Sequence, residues 1–171
     1  KRALEETNGN LAAAIDYLRK SGALKAAKKS DRATNEGLVH AYIHVGGRVG
    51  VLVELLCETD FVARNPEFAE LAHEIAMQVA ATNPLYVRPE DISAEVVEKE
   101  KSMYTQETVG KPANIAEKIF TGKLEKWYAE VCLMRQPFIK DEDLTIEDVV
   151  KAKIAKLGEN IQVRRFVRYA L

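Results

Sequence analysis

Gly46 and Gly47 constrain this chain more than any other pair of residues, because a β-rich run stands on either side of them, Leu38 to Val45 and Arg48 to Glu58. Both central positions of a two-residue hairpin loop need backbone angles that only Gly, Asn or Asp reach cheaply, and two glycines supply them. Pairing Val45 with Arg48 sets the register. Leu38, His40, Tyr42 and His44 then share one face with Val49, Val51, Val53 and Leu55, while Val39, Ala41, Ile43, Leu52 and Leu56 lie on the other. Both faces are largely apolar, which a sheet with one wet side would not show, so each needs a covering layer. Helices are expected on one face, with a second subunit as the candidate for the other.

The flanking segments supply the helices. Residues 1–22 read as a small helical unit: a first piece ends at Asn8-Gly9, Asn10 is an N-cap, Leu11, Ile15 and Leu18 recur at helical spacing, and Ser21-Gly22 closes it. Residues 23–36, with Lys25, Lys28, Lys29 and Arg32 but few large apolar groups, read as a linker, and 37–171 as the core domain. Asn65-Pro66-Glu67 starts a helix, Phe68, Leu71, Ala72, Ile75 and Val79 form its stripe, and Asn83-Pro84 ends it. A charged helix follows from near Ser93 to about Thr108, broken by Gly110-Lys111-Pro112. Residues 113–134 suggest one or two helices interrupted at Gly122. Thr145-Ile146-Glu147-Asp148 is a capping box with Asp in the place of Glu, and its helix stops at Gly158. Alternation returns from Ile161 to Tyr169 as a third strand. The expected class is α+β: a three-stranded antiparallel sheet (38–45, 48–58, 161–169) with helices from between 66 and 157 on one face, plus the N-terminal helical piece.

Composition narrows the function. With 171 residues and 47% hydrophobic content the chain can bury a real core, and 25 Lys plus Arg against 26 Asp plus Glu leave no global field to hold a polyanion. Cys57 and Cys132 lie far apart without a CxxC pair, which argues against a zinc site or disulfide framework and for a reducing cytoplasm. No apolar run approaches the roughly 20 residues of a membrane span, and no signal segment opens the chain. Since Lys1-Arg2-Ala3-Leu4 reads like the middle of a helix, further N-terminal sequence is expected before it.

Candidate chemistry is sparse. His40 and His44 lie about 13 Å apart along a strand at ~3.3 Å per residue and cannot share a metal, while His73, with Glu70 and Glu74 nearby, reads as a hydrated surface group. No nucleophile sits beside a base in a strained turn. Gly46-Gly47-Arg48-Val49-Gly50 lacks the Lys-Ser/Thr ending of a phosphate loop and leads into a strand, not a helix. No catalytic residue, cofactor or metal is assigned. A rival reading is RNA binding through Lys25, Lys28 and Lys29 with Arg164, Arg165 and Arg168, beside Phe166 or Tyr169. Alternation points Arg165 away from Arg164 and Arg168, however, so a solvated strand face is the simpler reading.

One segment does not fit a plain connection. Between the second strand and the helix at Asn65 stands Thr59-Asp60-Phe61-Val62, a short loop holding a large aromatic and a branched apolar residue. Such a Phe either anchors its own helix or protrudes into something else. The segment Glu54-Leu55-Leu56-Cys57-Glu58-Thr59-Asp60-Phe61-Val62-Ala63-Arg64 resembles the signature of the elongation factor Ts family. So do Ser21-Gly22-Ala23 with Lys25-Ala26-Ala27-Lys28-Lys29, the strand Arg48 to Glu54, Gln136-Pro137-Phe138, Gly158-Glu159-Asn160-Ile161 and Arg164-Arg165-Phe166, in family order over nearly the whole chain.

The resemblance implies a nucleotide exchange factor for elongation factor Tu that acts by binding, with no reaction of its own. It implies the short bacterial form, which associates as a homodimer in the cytoplasm and touches neither nucleic acid nor membrane. Residues 1–22 resemble the rear of a ubiquitin-associated-type domain. Phe61 would be a wedge between helices of the GTPase, disturbing its magnesium and phosphate site, with Asp60 holding polar groups beside it and Thr59 and Val62 aiming the pair. Leu157 and Gly158 would face the same GTPase domain, and His44 a different domain of the partner.

Overall fold

The computed structural model describes residues 1–108 and 112–171. The Gly110-Lys111 part of the expected break lies outside them. Within the described residues, the expected α+β architecture is present: a three-stranded antiparallel sheet, helices packed on it, and N-terminal helices.

The chain opens with α1 (Arg2–Glu6) and α2 (Leu11–Ala27), separated by Asn8 and Gly9, both with positive φ. The side chain of Asn10 caps α2 by accepting from the Ala13 N–H at 3.0 Å. The closure expected at Ser21-Gly22 is absent, since α2 runs on to Ala27. Gly22 lies against another helix, where a Cβ would meet the Ala155 Cβ at 3.7 Å. A small residue at a close helix approach does not end a helix whose other side chains support it.

β1 (Glu36–Ile43) and β2 (Val49–Cys57) pair in the expected register, with Leu38 opposite Leu55, His40 opposite Val53 and Tyr42 opposite Val51. Gly46 and Gly47 take φ of 92° and 68° at the turn. β2 is central, with β5 (Ile161–Ala170) on its other side. One departure from alternation occurs there: Glu54 pairs with Arg165 and Leu55 with Val163, leaving Arg164 as the extra residue of a bulge.

Asn65 caps α4 (Pro66–Thr82), Pro66 fills its first turn, and Asn83 ends it in the left-handed conformation. Its stripe of Phe68, Leu71, Ala72, Ile75 and Val79 is buried against Val51, Val53 and Leu55. α7 (Ile146–Leu157) carries the expected reciprocal box between Thr145 and Asp148, and adds Ile146, Val150 and Ile154 to the same core. Both helices cover the inner sheet face. The outer face is bare in a single chain: Val39 is 67% and Ile43 66% exposed, with Leu52 and Val167 also open.

Between α4 and α7 lie α5 (Ala94–Thr108) and α6 (Ala113–Val131). α6 passes through Gly122 without the expected interruption, because nothing packs within 4 Å of that glycine and its cost of about 1 kcal/mol is spread over a long helix. A small two-stranded piece, β3 (Pro137–Phe138) with β4 (Asp141–Thr145), is absent from the sequence reading, its strands being too short for a periodic signal. It is organised by Gln78, buried in α4, which donates to Gln136 Oε1 and the Pro137 carbonyl and accepts from the Ile139 N–H at 2.9 Å.

Candidate functional site

At the Cys57 end of β2 the chain turns through Glu58 and Thr59 into α3 (Asp60–Ala63), a single helical turn where the sequence suggests a loop. Thr59 caps it, its Oγ1 accepting from the Val62 N–H at 3.4 Å. The two apolar residues part company. Val62 is 5% exposed and belongs to the core, whereas Phe61 is 80% exposed. Of the two readings of an aromatic here, the anchor is therefore filled by Val62, and Phe61 protrudes. Val62 leaves little surface for a partner. Asp60 stands beside Phe61 with its carboxylate 3.1 Å from the exposed Arg64 guanidinium.

The turn is held by residues about a hundred positions away. Glu159 Oε2 accepts from the backbone N–H of Glu58 at 3.1 Å and of Thr59 at 3.0 Å, and its Oε1 accepts from Thr59 Oγ1 at 2.6 Å. In return Glu58 Oε1 accepts from the Asn160 N–H at 2.6 Å. Glu159 thus caps the backbone of Glu58 and Thr59, and Glu58 caps the residue that follows Glu159. The buried Asn160 amide donates to the Ser30 and Arg32 carbonyls at 3.1 and 2.8 Å, and Lys29 Nζ donates to the Gly158 carbonyl at 2.7 Å. Beneath the turn, Cys57 Sγ donates to the Thr59 carbonyl at 3.2 Å; burial first, and the Glu159 carboxylate second, push this thiol up to about 11.

This clasp brings the two proposed GTPase-facing segments together. Leu157 is half-buried against the core, and Gly158, with φ of 82°, turns the chain straight into Glu159. His44 is elsewhere: it lies beyond the Gly46-Gly47 end of β2, about 26 Å along the eight residue steps from Val49 to Cys57. It is exposed and its Nδ1 is 2.9 Å from the Tyr42 hydroxyl. Sequence reasoning missed Glu58, Glu159 and Asn160 as site residues. Their only trace was membership in the matched segments, since no local pattern signals a contact across 100 residues.

Two groups set aside in the sequence have partners that it did not show. His73 is exposed as expected, but its Nδ1 faces His40 Nε2 at 3.1 Å, and its ring meets Tyr42 edge-on at 5.5 Å between centroids. Among the basic residues, Arg164 and Arg165 both reach Glu54, at 2.7 and 2.5 Å, because the bulge cancels the alternation that would part them. Those two arginines hold the Glu54 carboxyl below its usual range, Arg165 foremost. Arg168 donates to the Ala80 carbonyl. With Lys29 on Gly158, four of the six cations of the RNA reading have partners inside the chain. Among the described residues no group of three or more His, Cys, Asp or Glu converges on a point, and no helix is long and apolar enough to cross a membrane.

Comparison with known proteins places the chain in a family. The sequence model described as elongation factor TS matches residues 6–171. Elongation factor Ts of Carboxydothermus hydrogenoformans is 56% identical over 173 residues, covering 100% of this chain and 80% of that protein. The Moorella thermoacetica protein of the same name is 56% identical over 171 residues, covering 99% of this chain and 84% of its own length. That of Thermotoga maritima is 54% identical, covering 100% and 86%. On a family match spanning almost every residue and relatives this similar over their greater part, the chain belongs to the elongation factor Ts family.

Proposed function

We propose that this chain, an exchange factor of elongation factor Tu in translation elongation, expels guanine nucleotide by inserting Phe61 between helices of the GTPase. The insertion disturbs the magnesium and phosphate site, and Asp60 holds polar groups beside it. An exchange factor needs only to bind the empty GTPase more tightly than the loaded one; by linkage it then weakens the nucleotide by the same factor. The observation that carries this reading is the 80% exposure of Phe61 on a turn whose neighbours are fixed by Val62, Thr59 and Glu159. A rigid ring held away from its own core delivers its burial free energy, roughly 2–3 kcal/mol, to whatever receives it. Leu157 and Gly158 extend that surface, and His44 contacts a different domain of the partner.

The open outer sheet face supports a homodimer in which a second copy covers Val39, Ile43, Leu52 and Val167. Because His44 and Phe61 lie at opposite ends of β2, one GTPase can then draw on both subunits. The ubiquitin-associated-type assignment made for residues 1–22 is carried to the end of α2 at Ala27, the linker is the remainder up to β1, and 37–171 is the exchange and dimerisation core, all acting in the cytoplasm without a nucleic acid or membrane partner.

The decisive experiment times the loss of fluorescent GDP from the GTPase. Phe61→Ala should lower the acceleration roughly 30- to 150-fold, the rate equivalent of that burial term. Its melting temperature should not move; a lower melting temperature with normal exchange would return Phe61 to the role of an anchor. Sedimentation of Leu52→Glu, expected to be monomeric, tests the dimer.

A further inference from the structure

We propose that His40 and His73 together chelate a late first-row divalent cation such as zinc, with water completing its coordination. The two residues come from different elements, His40 from β1 and His73 from α4, and their facing nitrogens, Nε2 and Nδ1, are 3.1 Å apart. Ligand nitrogens ~2.0–2.1 Å from a tetrahedral zinc stand about 3.3–3.4 Å from each other, and at an octahedral centre about 2.8–3.0 Å. The observed separation falls between those edges, so a cation can be gripped with small ring movements. The rings are nearly perpendicular, with an interplanar angle of 89°, and His73 is also backed by the Tyr42 ring.

Without metal, one facing nitrogen carries a proton and donates it to the other. Chelation requires that proton to shift to the outer nitrogen of the same ring, after which both facing nitrogens present lone pairs. Competing donors nearby are engaged: Glu74 pairs with Lys140 at 3.1 Å, Glu70 with Lys153 at 3.4 Å, and His44 with Tyr42. Two imidazoles without a carboxylate select zinc, nickel or copper over magnesium and calcium, which demand oxygen. The bound cation would tie the edge strand β1 to α4.

Calorimetric titration of the metal-free full chain with zinc chloride should show one saturable site per chain, unaffected by excess magnesium. The ring-proton NMR signals of both His40 and His73 should shift in step with occupancy. His40→Gln and His73→Gln should each weaken binding by at least about tenfold, given that loss of even an outer-shell partner costs 10–100-fold. His44→Gln should leave it unchanged. His73 is exposed, so its variant folds, and metal-free melting curves verify that. Non-saturable uptake, binding undiminished in His73→Gln, competition by magnesium, or loss with His44→Gln would each overturn the proposal.

Discussion

The two ends of β2 are built on opposite plans. At the Cys57 end, the backbone of Glu58 and Thr59 is gripped by a carboxylate, that carboxylate's own neighbour is gripped by Glu58, and residues 29–32 are tied in behind. At the Gly46-Gly47 end the turn has open space around both glycines, and His44 rests on a single hydroxyl. The difference has a mechanical meaning. A side chain that must strain another protein needs a base that does not yield, or the strain relaxes into its own backbone; a side chain that only adds contact does not. The clasped end suits the wedge proposed at Phe61, and the open end the adaptable contact proposed at His44.

Removing the proposed wedge gives the largest expected loss, the 30- to 150-fold fall in exchange derived above for Phe61→Ala. Next comes the clasp. Glu159→Ala removes three hydrogen bonds to a charged acceptor and should destabilise the fold by about 2 kcal/mol, a melting shift of about 4–8 °C for a chain of this size. If rigidity of the base matters, exchange should also fall, by roughly tenfold, at temperatures well below melting. Glu159→Gln, which keeps an acceptor oxygen, should recover part of both. Normal exchange in a destabilised Glu159→Ala would show that the clasp serves the fold alone. Gly158→Ala follows: nothing would collide with the new Cβ, but φ of 82° costs a side chain about 1 kcal/mol, read as a shift of about 2–4 °C. Gly46→Ala carries a similar conformational cost at the open end and should leave exchange untouched, which sharpens the contrast.

The sequence disclosed one of these ends far better than the other. The hairpin register was legible because two adjacent glycines and strict alternation are local signals, and Asn65-Pro66 and Thr145 to Asp148 marked helix starts through hydrogen bonds that close within a turn. The protrusion of Phe61 was only half legible. Its presence in a connection was odd, but whether Phe61 or Val62 would turn inward depended on the helical turn that Thr59 caps. The clasp was not legible at all, since Glu58 and Glu159 are ordinary surface letters until the fold sets β5 beside β2. The same limit hid His73 against His40 and the bulge at Arg164, while Gly22 and Gly122 were read as breaks because their neighbours could not be seen.

The smallest effect belongs to His44, and it tests the comparison most directly. The side chain is exposed and its one internal bond joins it to Tyr42 on the same strand, so His44→Ala should change stability by no more than about 0.5 kcal/mol. Its role, if it is an added contact, lies in affinity: binding of the GTPase should weaken by less than about tenfold, a rim-type contribution near 1 kcal/mol. The maximal exchange rate at saturating factor should be unchanged, because the wedge is intact at the far end of the strand. Titrating the exchange rate against factor concentration separates the two quantities. A drop in the plateau would mean that the hairpin tip also acts on the nucleotide site, and the division of labour between the two ends of β2 would have to be abandoned.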